Sequence, residues 1–183
     1  MPWTADDADK HHANLSPDQK AEWAKMANAM LQDCESRGGS DCEGHAIRGA
    51  NARMMKRIAK LDKAKHLVYG WASVVATADG ALVEDLQGDL IDPADLEDAA
   101  VDFMLDYRKS GEMHEGRAAG TVVEALVASP EKYAAMGVPE SVAKAMPSGL
   151  WLGVKVTPDV FAKVEAGHYR MFSIEGTATP EPV

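Results

Sequence analysis

No apolar run in the chain approaches the roughly 20 residues that a bilayer-spanning helix needs, so no membrane-embedded span is expected. Positive charge is also scarce. Nineteen Lys and Arg stand against 29 Asp and Glu, a formal net charge of −10, and the pI is near 5.0. Phosphate contacts need a dense cationic surface, so nucleic acid is not expected as the main partner. The first residues, MPWTADDADKHH, lack the apolar stretch of a secretory signal. Two cysteines, Cys34 and Cys42, are too few for a disulfide scaffold, and a reducing cytoplasm is the expected setting. The sequence contains no Gly-rich phosphate loop, no HExxH, no CxxC and no internal repeat, and no cofactor is implied.

What remains is ordinary for a soluble globular protein. Apolar residues make up 46% and charged residues 26% of 183, enough for one core plus a small helical module. Ten Met against three Phe suggest a soft, helix-rich component.

Residues 1–15 are polar and expected to be poorly ordered. Ser16, Pro17 and Gln19 then announce a helix through an N-cap, a first-turn proline and a capping-box partner. Trp23, Met26, Ala27, Met30 and Leu31 share one helical face, and Gly38-Gly39 stop it. A second capping box, Ser40 with Glu43, opens a helix in which Ile47, Ala50, Met54, Ile58 and Leu61 recur at three- and four-residue spacing. The two helices form a hairpin, each covering the other's apolar stripe. Cys34 and Cys42 flank its turn, with His45 beyond. Zinc needs a fourth ligand that the module lacks, so a small buried pair tying the turn is the preferred reading. The basic residues Arg48, Arg53, Lys56, Arg57, Lys60 and Lys63 read as a solvated helix face.

After residue 65 the composition changes. Residues 66–76 are rich in β-branched and aromatic side chains and read as a strand, followed by an Ala78-Asp79-Gly80 turn. Gln87-Gly88-Asp89 leads to Asp92 and Pro93, which cap a helix with Leu96, Ala99, Ala100, Phe103 and Tyr107 as its stripe. A strand over 121–128 puts Val123, Ala125 and Val127 on one face and Val122, Glu124 and Leu126 on the other. Residues 130–146 hold short helices broken at Gly137-Val138-Pro139. The stretch 149–178 reads as strand, short helix and strand. Thr157 and Pro158 open that helix, Gly167 closes it, and Ser173 stands in the last strand, spanning 168–177. The domains are thus residues 1–62, a helical module, and 66–183, an α+β domain around a compact, partly closed sheet with flanking helices.

A serine in a strand is usually structural, because its hydroxyl needs an adjacent base to act as a nucleophile. His168 faces away from Ser173, and His11, His12, His45 and His66 lie in or near the helical module. By elimination His114 is the histidine best able to meet Ser173.

Two resemblances bear on these residues. The opening Met-Pro-Trp, the helix LSPDQKAEWAKMANAML and the motif CEGHAIRGANA resemble a ChaB-like helical module, which implies interaction rather than chemistry. QGDLIDPADLEDAAVDF, His114 followed by Gly120-Thr121-Val122-Val123-Glu124, WLGVKVT and FSIEG resemble the XkdF-like phage serine protease group. That group is related to the prohead proteases of tailed phages, which share the herpesvirus assemblin fold. The resemblance implies a capsid maturation serine endopeptidase with Ser173 as nucleophile and His114 as base. Its third member would be Glu124, an acid on an otherwise apolar strand, with Glu175 and Glu115 as rivals. The implied partners are scaffold and major capsid protein, and the protease itself as substrate, within the assembling procapsid in the host cytoplasm. A homodimer is implied as well. The alternative is a non-catalytic assembly or docking adaptor that binds scaffold or coat protein. The chain stops at TATPEPV, short of the further strands of many prohead proteases, and a truncated, self-processed or naturally short form is expected.

Overall fold

The computed structural model of the chain describes residues 2–85, 89–112 and 118–176. Its architecture is α+β: an N-terminal helical region, then a five-stranded antiparallel sheet with helices.

The first residues are ordered, contrary to expectation. Thr4 and Asp7 form a capping box around a 3₁₀ turn over Ala5–Asp7, and α1 (Ala8–His11) follows. Two indoles hold this segment down. Trp3 packs edge-on to the fully buried Trp23 at 6.1 Å, and His11 stacks on Trp23 at 5.4 Å. The Trp3 backbone N–H and carbonyl both bond the Asn28 amide, at 2.8 Å each. A polar sequence is fixed here because its few apolar groups all reach one site.

Helix α2 (Pro17–Ser36) starts at the Ser16–Gln19 capping box as the sequence predicts. Helix α3 (Cys42–Met55) starts at Asp41, whose φ of 52° is left-handed. The Ser40–Glu43 box is therefore not the cap. Cys34 and Cys42 are joined in a disulfide with Cα atoms 5.5 Å apart, so the pair ties the turn between α2 and α3 as expected, through a covalent bond. Gly39 lies against this bond. A Cβ there would sit 2.6 Å from Cys34 Sγ.

Helix α3 ends at Met55, not near Leu61, because residues Ile58–Asp62 form strand β1. Ile58 and Leu61 both pack on the sheet's core. Their three-residue spacing looks helical, yet β1 is irregular between Ile58 and Lys60. One extra residue in a strand turns an odd spacing into a shared face. The sheet thus begins inside the segment assigned to the helical module.

Strand β2 (Leu67–Ala76), helix α4 (Pro93–Asp106), and the unforeseen short strand β3 (Lys109–Gly111) follow. Then come β4 (Ala118–Ala128), α5 (Pro130–Ala135), α6 (Glu140–Ala143), β5 (Ser148–Val156) and α7 (Pro158–Glu165). On α4, Leu96 and Ala100 are buried and Phe103 packs on the core, but Tyr107 is exposed. The Gln87-Gly88 lead-in lies outside the described residues.

The strand order is β1-β2-β5-β4-β3, antiparallel throughout. The triplet Val68, Val154 and Val122, aligned across β2, β5 and β4, anchors the face covered by α4 and α7. Trp71, Trp151 and Leu126 align on the opposite face, the two indoles edge-on at 5.5 Å. Tyr133 and Ala143 pack with Trp71 and Leu126, and Ala52 of α3 packs with Val74. Among the described residues β1 and β3 do not pair, so strands do not close the sheet. The chain after α7 bridges these two edges instead. The Ile58 N–H donates to the Arg170 carbonyl at 2.8 Å, while the Tyr169 hydroxyl donates to Glu112, next after β3.

The expected strand over 168–177 is not formed among its described residues. Only an isolated bridge, Met171 with Arg57, is present. Tyr169 and Phe172, three apart, both pack on the core, so the two-residue alternation is lost.

Candidate active site

Ser173 is positioned by what precedes it. Gly167, at φ 76°, closes α7 in the left-handed conformation that glycine adopts without a Cβ penalty. Its N–H bonds the Val164 carbonyl and the His168 N–H bonds the Lys163 carbonyl, both at 2.9 Å. The Arg170 Nε–H donates back to the Gly167 carbonyl at 2.9 Å. Then Arg170 and Met171 dock on β1, and Phe172 enters the core. The next residue, Ser173, is exposed, and its hydroxyl has no hydrogen-bond partner among the described residues. Arg57, opposite Met171, also forms an ion pair with Glu22 of α2 at 2.6 Å, which ties this docking point to the helical region. A shallow groove of about 360 Å³ runs beside it, lined by Ile58, Lys60, Leu61, Val164, Tyr169 and Arg170 among others.

His114 lies outside the described residues, as does Glu115. The described chain approaches that stretch at Glu112. Its Oε1 accepts hydrogen bonds from the Lys163 ammonium and from the Tyr169 hydroxyl, the latter at 2.5 Å. The Lys163 bond, then the Tyr169 bond, hold the Glu112 carboxyl below the usual range. The same contacts raise Lys163 and Tyr169 above theirs.

Glu124 sits on β4 where the register slips between Val122 and Glu124. This irregularity puts Val122 on the core and Glu124 on the opposite, exposed side, so the two do not share a face as the plain alternation predicts. Gly153, aligned with both Glu124 and Tyr69, makes room there. A Cβ on Gly153 would lie 2.8 Å from the Tyr69 ring and 3.1 Å from Glu124 Cβ. Across that gap the Tyr69 hydroxyl donates to Glu124 Oε1 at 3.4 Å. Burial first, then the Glu124 charge, push the Tyr69 hydroxyl up. Glu124 thus has a described partner in Tyr69, while Glu175 follows Ser173 by two residues on an exposed segment.

The other histidines are engaged elsewhere. His45 Nδ1 is 3.2 Å from Glu84, the His66 ring packs on Phe161 at 5.2 Å, and His168 is exposed at the end of α7. Among the described residues no three His, Cys, Asp or Glu cluster to hold a metal ion. No helix is long and apolar enough there to cross a membrane. The Glu112–Lys163–Tyr169 cluster carries no signal in the sequence. Its three members lie more than fifty positions apart end to end, and no local spacing signals it.

The family model described as "Putative phage serine protease XkdF" matches residues 54–181. No curated protein and no solved structure matches the chain.

Proposed function

The chain belongs to the phage serine protease family of XkdF, whose model spans the whole sheet, and from that premise we propose that it is a capsid maturation endopeptidase with Ser173 as nucleophile. The observation that carries this reading is the family match, which includes both Ser173 and His114. The exposed Ser173 hydroxyl, with no hydrogen-bond partner among the described residues and held on a docked segment beside a groove, supports it. So does the docking of that segment on both edges of the sheet, which suits the partly closed, assemblin-like fold we propose.

In this mechanism His114 takes the proton from Ser173 Oγ as that oxygen bonds to the scissile carbonyl carbon. The C–N bond then breaks, and the proton passes from His114 to the leaving amine. Water, deprotonated by His114, hydrolyses the acyl-enzyme and restores Ser173. Backbone N–H donors facing the developing oxyanion contribute about 3 kcal/mol each in such enzymes. Glu124 is the proposed orienting acid, with Glu175 and Glu115 as rivals. The substrates are scaffold, coat-protein segments and the protease itself, in a procapsid assembling in the host cytoplasm. The N-terminal helical module, residues 1–62 in the sequence reading and overlapped by the family match from residue 54, is proposed as a ChaB-like docking module, and the enzyme acts as a homodimer.

Co-expression with the scaffolding protein tests the activity. Ser173→Ala and His114→Ala should each abolish scaffold cleavage while keeping the thermal midpoint. Cleavage that continues in Ser173→Ala would remove the peptidase reading and leave the assembly adaptor.

A further inference from the structure

β1 ends the sheet and pairs with β2 alone. On its outer side only the start of the strand is covered. There the Ile58 N–H donates to the Arg170 carbonyl, and Arg57 bridges Met171. Among the described residues no other backbone pairs with the outer side of residues 59–62. Such an edge is a template for one more extended segment, because alternate residues aim their N–H and C=O groups away from the existing ladder.

The shallow groove of about 360 Å³ lies along this edge, within the range of about 300–1,000 Å³ usual for ligand sites. Ile58, Leu61, Val164 and Tyr169 give it an apolar lining, and each is only partly buried. Arg57, Lys60 and Arg170 also line it, and no lining residue carries a carboxylate.

The ion pairs around the groove leave two cations over. Arg57 is taken by Glu22, Lys63 by Glu165 and Lys65 by Asp62. Lys60 and Arg170 have no carboxylate at ion-pair distance among the described residues. The Lys60 ammonium sits 5.3 Å from the Tyr69 ring centre, and Arg170 donates Nε–H to the Gly167 carbonyl. On a chain of net charge −10, two spare cations beside one groove favour an acidic occupant.

Building on the serine protease reading, we propose that this groove binds an extended acidic segment of the substrate, which adds to β1 as a further strand. Met171, bridged to Arg57, precedes Ser173 by two positions, so a segment on this edge lies against the stretch that carries the nucleophile. Backbone pairing supplies affinity in this mode, and side chains supply selectivity. Successive side chains of an extended segment face opposite ways, so apolar ones meet the lining while acidic ones meet Lys60 and Arg170.

The test uses the full chain and fluorescein-labelled peptide probes read by anisotropy. The probes are acetyl-Val-Glu-Val-Glu-Val-amide, its lysine counterpart, and two forms of the acidic peptide N-methylated at alternate amides. The acidic probe should bind at least about 10-fold more tightly than the lysine one at low salt, and 1 M salt should remove most of that difference. One methylated form should lose binding by about 10-fold or more while the other keeps it, since only alternate amides face β1. Lys60→Gln and Arg170→Gln, both at exposed positions, should each weaken the acidic probe about threefold or more with the thermal midpoint nearly kept. Equal binding of the acidic and lysine probes, or of the two methylated forms, overturns the proposal. A dimer that Arg170→Gln dissociates overturns it in favour of a second copy of the chain in the groove. Fluorophosphonate labelling of Ser173 without acidic-probe binding removes the groove alone. Acidic-probe binding without labelling supports the groove and removes the peptidase.

Discussion

Trp23 is the point on which the N-terminal region turns, and its replacement separates packing from hydrogen bonding. The indole is fully buried, carries Trp3 on its edge and His11 on its face, and donates Nε1–H to Asn51 Oδ1 at 2.8 Å. The Asn51 amide in turn donates to the His11 carbonyl at 3.0 Å. One side chain thus joins α1, α2 and α3. Trp23→Ala should cost about 3–5 kcal/mol, the range for deleting a buried aromatic. Trp23→Phe keeps most of the ring contacts but leaves Asn51 Oδ1 without its donor, at about 1–2 kcal/mol. With an m-value of about 2 kcal/mol/M, the urea midpoint should fall by about 2 M and about 0.7 M respectively. Far-UV circular dichroism is the assay, because both variants remove a fluorophore. Truncation of residues 2–12 should approach the Trp23→Ala value, since it removes Trp3 and His11 together. A Trp23→Ala loss below about 1 kcal/mol would refute this account of how the first residues are ordered.

Reduction of the Cys34–Cys42 disulfide opens a loop of sequence separation 8. Loop-closure entropy for that length predicts a loss of about 2.5 kcal/mol, checked by urea unfolding with and without a phosphine reductant, and no shift would contradict it. Lys56 offers a pH test. Burial first pushes its ammonium below the usual lysine range, Asp85 opposes this, and Arg53 adds to it. A lysine with a lowered folded pKa costs stability at every pH below that value, and the cost fades as pH rises through the unfolded value of 10.5. Lys56→Met should therefore raise the thermal midpoint at pH 7, and the gain should shrink as pH approaches 10.5. A gain that grows with pH would reverse the sign of the argument.

The elements with strong local punctuation were legible in the sequence. Ser16–Gln19, Asp92-Pro93 and Thr157-Pro158-Gly167 each mark a helix end where the structure has one. The errors fall where tertiary contacts decide. Ile58 and Leu61 share a face through a strand irregularity, so their spacing imitated a helix. The slip next to Glu124 moved it to the face opposite Val122, which strict alternation cannot foresee. The alternating run after Gly167 suggested a strand, but among the described residues it pairs with the sheet at a single backbone bridge, Met171 with Arg57. Trp3 and His11 order a polar terminus because Trp23, far along the chain, offers both faces of a buried site. Ser173 could be singled out from the sequence through its family motif. Its exposure and its docking beside β1 could not, since both depend on Arg57 and Ile58 more than a hundred positions away.

The central claim is that the Ser173 hydroxyl is activated by the His114 imidazole. Incubation of the full chain with a fluorophosphonate, followed by peptide mapping in a mass spectrometer, tests it most directly. The account predicts one adduct, on Ser173, which disappears or forms at least about 100-fold more slowly in His114→Ala. An adduct that forms equally fast without the imidazole, or a wild-type chain that carries none at Ser173, would contradict it.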